Sequence, residues 1–182
     1  MKLKPVLFYH NIGNINYKSF SSIDDFDSQM RFLHDRNLKS SYSDELGISG
    51  DFSVTFDDGY EDNLINALPI LKKYNFTATC FIVPKFIGKT NTWDAKQFKL
   101  MDRSQIKEWI CEGMRIGSHS YSHSDLTKIN KKQIESEVEK SKKYLEDEFQ
   151  IKINSFCYPY GKFNDVVINA LKQNRYKRAF TT

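Results

Sequence analysis

The chain has 182 residues, of which 40% are hydrophobic and 27% are charged, a composition typical of a globular protein with one sizeable core. Its net charge is +4, and the basic residues are scattered, which argues against the concentrated basic face of a nucleic-acid-binding protein. No apolar run approaches the roughly 20 residues that span a bilayer, and the N-terminal segment lacks the apolar core of a signal peptide.

These properties predict a single domain over residues 1–182, with no nucleic-acid partner and no transmembrane segment. A chain without a recognisable leader is expected in the cytoplasm, and envelope association stays open if a leader has been removed. Cys80, Cys111 and Cys157 lie far apart and form no CxxC pair, so we expect buried free thiols in a reducing compartment. The oligomeric state is left open.

Short runs rich in β-branched and aromatic residues alternate with segments of helical periodicity. Strands are predicted at residues 5–9, 52–56, 77–83, 115–117, 154–158 and 178–181. Helices are predicted at residues 23–37, 61–74, 102–113, 131–149 and 164–174, and residues 84–100 are predicted as an irregular loop. Strict alternation of this kind favours parallel strands with crossover helices, in an α/β barrel or a doubly wound sheet.

The candidate functional residues all follow predicted strands, and this placement favours a barrel. Parallel α/β folds gather their chemistry at the carboxyl ends of the strands. The residues concerned are His10 after the first strand, Asp57 and Asp58 after the second, His119 and His123 after the fourth, and residues 159–161 after the fifth.

Asp57 and Asp58 end an apolar run and precede Gly59. Neighbouring residues of a strand point to opposite faces, so one carboxylate could bind a metal ion while the other stands beside a reacting water. Gly59 would permit the sharp turn that such a loop needs. The alternative is an ordinary strand-end turn in which an aspartate caps the next helix.

His119 and His123 are four residues apart, so a helical turn would place both imidazoles on one face. Neutral imidazole is the commonest metal-ligating side chain. The alternative is a pair of surface or capping histidines in a serine-rich loop. Together with Asp58, the two imidazoles would leave a zinc-like ion one exchangeable position.

Three segments resemble motifs of the polysaccharide deacetylase family, also called the NodB-homology or carbohydrate esterase family 4 domain. They are residues 55–59, 119–123 and 158–161, and residues 79–83 are similar to the aromatic strand that follows the acidic motif. The resemblance covers nearly the whole chain. It implies a distorted (β/α) barrel of about six or seven parallel strands, incomplete at the C-terminus if the barrel needs later residues. It also implies a metal-dependent hydrolase that removes acetyl groups from sugars.

Position by position, the resemblance assigns the metal ligands to Asp58, His119 and His123, and the catalytic base to Asp57. Tyr160 matches the residue whose backbone N–H helps to hold the oxyanion. The implied cofactor is a divalent metal ion, for which Zn²⁺ is the first expectation and Co²⁺, Ni²⁺ or Fe²⁺ stay open.

Two departures from the family pattern are visible. Cys157 stands where the third motif usually has an arginine that partners the base, and the late Leu-x-His motif that supplies the general acid would lie beyond residue 182. A branch that acts on poly-N-acetylglucosamine is more similar, because a Tyr-His strand comes first in its permuted order. Tyr9 and His10 match that strand, which makes His10 the candidate general acid.

The expected partner is therefore an acetylated carbohydrate, with Trp93, Tyr158 and Pro159 as candidate substrate contacts beside Tyr160. Packing in the core or at the rim is an equally good interpretation of the aromatic residues. Two alternatives to the carbohydrate N-deacetylase stay open: a catalytically impaired sugar-binding homologue, and a hydrolase of a non-sugar imide or ester that uses the same metal site.

Overall fold

The computed structural model describes residues 4–15, 17–18, 20–45 and 49–181. The N-terminal segment, in which no leader is recognisable from the sequence, begins with residues 1–3, which lie outside the described residues. No helix in the described part of the chain is both long and apolar enough to cross a membrane.

Six parallel strands form one curled sheet, as the alternating pattern predicts. The order across the sheet is β1 (Val6–Tyr9), β4 (Ser53–Phe56), β5 (Ala78–Ile82), β6 (Arg115–Ser118), β7 (Ser155–Cys157) and β8 (Arg178–Phe180), and β2 (Asn11–Ile12) and β3 (Phe20–Ser21) form a separate two-stranded pair. Each new strand of the large sheet is added on the same side, so the winding never reverses. The structure is therefore a partial (β/α) barrel, and the doubly wound alternative is wrong.

Five α-helices connect the strands: α1 (Ile23–His34), α2 (Leu68–Lys73), α3 (Arg103–Cys111), α4 (Lys131–Phe149) and α5 (Asp165–Gln173). Side-chain caps open four of them. The predicted capping box of Asp102 and Gln105 is present at α3, and Asn130 with Gln133 forms a second one at α4. Such caps satisfy backbone N–H groups that a helix start leaves free.

The second predicted helix differs from its prediction. Residues Asn63–Ala67 form a π-helical turn, and regular α-helix starts only at Leu68. The side chains of Asn63 and Asn66 donate hydrogen bonds to the backbone carbonyls of His10 and Ile12, at 2.7 and 2.6 Å. A π-turn of this kind is common near functional sites, and here it accompanies the anchoring of the loop that carries His10.

The core lies between the sheet and the helices and holds the strand ends in place. Phe26 and Met30 of α1 are fully buried, and Phe26 packs against Phe56 of β4 with ring centroids 5.8 Å apart. A second cluster joins α4 and α5 to β7 through Val138, Phe156 and other apolar residues.

Cys80 and Cys157 are buried free thiols, as expected. Cys111 is exposed at the end of α3, so its predicted burial is wrong.

Candidate metal centre and active site

A cleft of about 530 Å³ opens at the carboxyl ends of the strands. Eight of the predicted site residues line this cleft: His10, Asp57, Asp58, Trp93, His119, His123, Tyr158 and Tyr160. Pro159, the ninth, is buried and does not line it. The placement at one rim, predicted from positions after strands, is confirmed. Phe8, Lys18 and Asp94 also line the cleft, and sequence analysis did not identify them.

Asp58, His119 and His123 meet at the bottom of the cleft. The Nε2 atoms of His119 and His123 lie 3.5 and 3.1 Å from Asp58 Oδ1. The three side chains offer ligand atoms that all lie within 4.8 Å of one another. All three residues are at least 94% buried, so the convergence is not a chance cluster on the surface.

The backbone that carries these candidate ligands is unusual, because residues 119–123 do not form the helical turn that would put both imidazoles on one face. The segment is an irregular turn in which Ser120 and His123 have φ values of 59° and 60°. Ser120 Oγ accepts a hydrogen bond from the His123 N–H at 3.0 Å. Asp58 also has a positive φ, 73°. Such conformations are costly for non-glycine residues and concentrate at functional sites.

Gly59 completes the turn after the acidic pair, as predicted. Its φ is +82°, and a Cβ atom there would lie only 2.8 Å from Cδ1 of Ile82. Glycine is therefore favoured by the left-handed backbone, and a Cβ atom there would in addition force the Ile82 side chain to shift.

His119 is fixed by a backbone partner. Its Nδ1 lies 2.8 Å from the carbonyl oxygen of Cys157. A carbonyl only accepts, so Nδ1 carries the proton and Nε2 is left with a free lone pair. This is the arrangement by which proteins orient a metal-ligating histidine.

The electrostatics of the centre suit a cation. Burial lowers the pKa of His119, which keeps its imidazole neutral. Burial opposes ionisation of Asp58, but the nearby imidazoles of His123 and His119 outweigh it and lower the pKa of Asp58 to about 2. Asp58 Oδ1 and His123 Nδ1 are buried without a hydrogen-bond partner among the described residues. A buried carboxylate that faces two imidazoles and keeps one oxygen without a hydrogen bond fits a divalent metal ion.

Asp57 lies beside this centre with a different environment for each oxygen. Its Oδ2 accepts a hydrogen bond from the Cys157 thiol at 3.3 Å, and burial raises the pKa of that thiol well above its usual value. Its Oδ1 is buried and has no partner in the described part of the chain. The two adjacent aspartates therefore face different groups, as their alternation along the strand end predicts.

The sequence profile of the polysaccharide deacetylase family matches residues 49–179 of the chain, a stretch that contains both aspartates and both histidines. The chain belongs to the polysaccharide deacetylase family.

Relatives in this family extend the match over nearly the whole chain. The chain is 31% identical to YxkH of Bacillus subtilis, over 98% of this chain and 64% of that protein. It is 29% identical to the poly-beta-1,6-N-acetyl-D-glucosamine N-deacetylase of Staphylococcus epidermidis, over 93% of this chain and 64% of that protein. The chain thus spans less than two thirds of the length of either relative.

A solved structure of a deacetylase shares the fold. The Streptococcus pyogenes deacetylase PplD, determined in complex with acetate, superposes with a TM-score of 0.84 at 26% identity. The match covers 98% of this chain and 83% of that chain. The partial barrel described above is therefore the fold of a deacetylase domain.

In this polysaccharide deacetylase family member, two aromatic rings contact the candidate metal ligands directly. Trp93 stacks on the imidazole of His123 with ring centroids 4.1 Å apart, and its Nε1 donates to Asp58 Oδ2 at 3.4 Å. Tyr160 lies edge-on to His123 at 4.8 Å and is half exposed at the cleft. Tyr158 lines the cleft but is largely buried against Phe156 and Phe163.

Two further polar residues position the site, and sequence analysis did not find them. Glu137 of α4 accepts hydrogen bonds from the N–H and the hydroxyl of Ser122, at 2.8 and 2.7 Å, and so anchors the turn that carries His123. Asn63, which is fully buried, holds the carbonyl of His10. Their only sequence signal is a polar residue near an apolar helical face, which is too common to be informative.

Proposed function

We propose that the chain is a metal-dependent hydrolase that removes acetyl groups from N-acetylated sugars of a poly- or oligosaccharide. The observation that carries this proposal is the convergence of Asp58, His119 and His123 beside the unpartnered Oδ1 of Asp57, in one open cleft. Family membership and the named activity of the staphylococcal relative support the substrate class.

Asp58, His119 and His123 would hold the metal ion. A divalent ion held there would polarise the acetamide carbonyl and lower the pKa of a water toward about 7. One carboxylate and two imidazoles suit Zn²⁺ with an open position, and the same donors also accept Co²⁺, Ni²⁺ or Fe²⁺.

Two residues of the chain would carry out the proton transfers, Asp57 as the base and His10 as the acid. Asp57 Oδ1 takes a proton from the water as the water oxygen attacks the acetyl carbon. Of the two oxygens of Asp57, only Oδ1 is free of a hydrogen bond among the described residues. The Tyr160 backbone N–H would stabilise the oxyanion. His10, which lines the same cleft, donates a proton to the departing nitrogen as the carbon–nitrogen bond breaks. Acetate and a free amino sugar are the products.

The test is acetate release from oligomers of N-acetylglucosamine by protein of known metal content. A chelator should abolish release, and added zinc or cobalt should restore it. Asp57→Asn should keep the metal and lose turnover, whereas Asp58→Asn should lose both. Because these residues are adjacent and carry the same substitution, each serves as the control for the other.

Three outcomes would contradict the proposal in different ways. Sugar binding without product at full metal occupancy would identify a non-catalytic homologue. Faster hydrolysis of cyclic imides or simple esters in the same assay would move the activity to a non-sugar substrate. Near-wild-type turnover of Asp57→Asn would show that Asp57 is not the base.

A further inference from the structure

Cys157, the last residue of β7, contacts two members of the active site through different groups. Its thiol lies 3.3 Å from Asp57 Oδ2, and its backbone carbonyl accepts the Nδ1–H of His119 at 2.8 Å. The residue is 3% exposed. Among the described residues, the thiol is the only hydrogen-bond partner of the buried Asp57 Oδ2.

The direction of the hydrogen bond follows from the chemistry of the two groups. An ionised carboxylate only accepts, so the thiol is the donor. The bond occupies Oδ2, while Oδ1 of the same carboxylate is left buried and unpartnered. A carboxylate that is held by one oxygen can rotate less, and its free oxygen keeps one direction.

We propose that Cys157 is a positioning residue for the base: its thiol holds Asp57 Oδ2 so that Oδ1 faces the reacting water. This role rests on the proposed function, because it presumes that Asp57 is the base. The thiol is neutral, so it orients the carboxylate without adding a fixed positive charge beside the metal centre.

The two contacts of Cys157 can be separated by mutation. A side-chain substitution removes the thiol but keeps the carbonyl that orients His119, so the metal site should stay intact. Cys157→Ala removes the donor, and Cys157→Ser restores a donor of similar size. Because a thiol is a weak hydrogen-bond donor, losing the bond itself should cost little energy. The expected loss of turnover would instead come from an Asp57 carboxylate that no longer keeps its direction.

The experiment compares these variants with wild type, all loaded with zinc, on an N-acetylglucosamine oligomer. Cys157→Ala should lower kcat about 10–100-fold, the effect of a misplaced catalytic group. KM and the zinc affinity should not change. Cys157→Ser should recover most of kcat. Cys111→Ala, which alters the exposed thiol of α3, should behave as wild type and controls for the loss of a cysteine.

A double-mutant cycle separates positioning from simple packing. In the Asp57→Asn background, Cys157→Ala should not lower the residual turnover further, because the base that it positions is already gone. An equal loss in both backgrounds, or a loss of kcat that follows the loss of zinc or of thermal stability, would overturn the positioning role. Wild-type-like kcat in Cys157→Ala would overturn it as well. If wild type at full zinc occupancy releases no acetate, the proposed function fails first and this role fails with it.

Discussion

The indole ring of Trp93 lies nearly parallel to the imidazole of His123, with centroids 4.1 Å apart and an interplanar angle of 19°. The same indole donates its N–H to Asp58 Oδ2. Trp93 lies in the irregular loop between β5 and α3, so this loop contacts two of the three candidate ligands. Sequence analysis named Trp93 as a candidate substrate contact, with packing as the alternative, and the structure places its ring against two of the candidate metal ligands.

Trp93→Ala should therefore weaken metal binding. Loss of groups that orient metal ligands typically reduces affinity by about 10–100-fold. Trp93→Phe should have a smaller effect, because it keeps a stacked ring and loses only the N–H donor. Competition with a chromophoric chelator would measure both affinities. Unchanged affinity together with weaker sugar binding would return Trp93 to a role in substrate contact alone.

Glu137 offers a second test of how the ligands are held. Glu137→Ala removes the carboxylate that accepts hydrogen bonds from the N–H and the hydroxyl of Ser122. The turn that carries His123 should therefore loosen, and the metal affinity should fall. Glu139→Ala is the matched control, because Glu139 is exposed on the same helix. Metal titration of the two variants would decide. Equal affinities would show that the turn keeps its shape without this anchor.

The candidate ligands could be predicted because each belongs to a short motif at a strand end. The β-rich runs before Asp58 and His119 fix where the strands stop, and parallel pairing brings those ends to one rim. The predicted order of strands and helices is confirmed for the same reason: periodicity is a local property of the sequence. The oxyanion and general-acid roles of Tyr160 and His10 stay predictions.

The contacts between distant segments could not be predicted. Glu137 and Ser122 are 15 residues apart, and Cys157 and Asp57 are 100 residues apart. Helix α4 shows only its amphipathic pattern, which says nothing about the polar residue that reaches the loop. The shape of the turn at residues 119–123 could not be predicted, because no local pattern reports the positive φ values of Ser120 and His123.

Stability should depend on pH through Asp62. Burial raises the pKa of this carboxyl from 3.8 to about 6, although Asn11 and the Ile12 N–H donate hydrogen bonds to it. The folded state thus binds the proton more tightly than the unfolded chain. The stabilisation is complete below pH 3.8 and is lost as the pH rises to about 6, by up to about 3 kcal/mol.

Urea unfolding at several pH values would measure this effect in wild type and Asp62→Asn. The variant should lack the decline between about pH 4 and pH 6. Asp24→Asn, a change at an exposed carboxylate in the first turn of α1, is the control and should keep the decline. Parallel pH profiles for wild type and Asp62→Asn would mean that another group is responsible.

His10 lies before the stretch that the family profile matches, so its role depends most on geometry. It lines the cleft with the two aspartates, and Asn63 fixes its backbone. An amine leaves poorly unless it is protonated, whereas the phenolate of an activated acetyl ester leaves without help. A general acid should therefore matter for the amide and much less for the ester.

His10→Ala should lower kcat for amide hydrolysis by about 10²–10⁴, the usual contribution of general acid catalysis. Hydrolysis of an activated acetyl ester and the metal affinity should change little. The measurement is the ratio of amide to ester turnover at equal metal occupancy, with Asp57→Asn as the comparison, since loss of the base should slow both substrates. If His10→Ala slows ester and amide equally, His10 acts by shaping the cleft rather than by donating a proton. The ratio therefore separates the two roles of His10 without any assumption about the natural sugar, because both substrates share the acetyl carbon that water attacks.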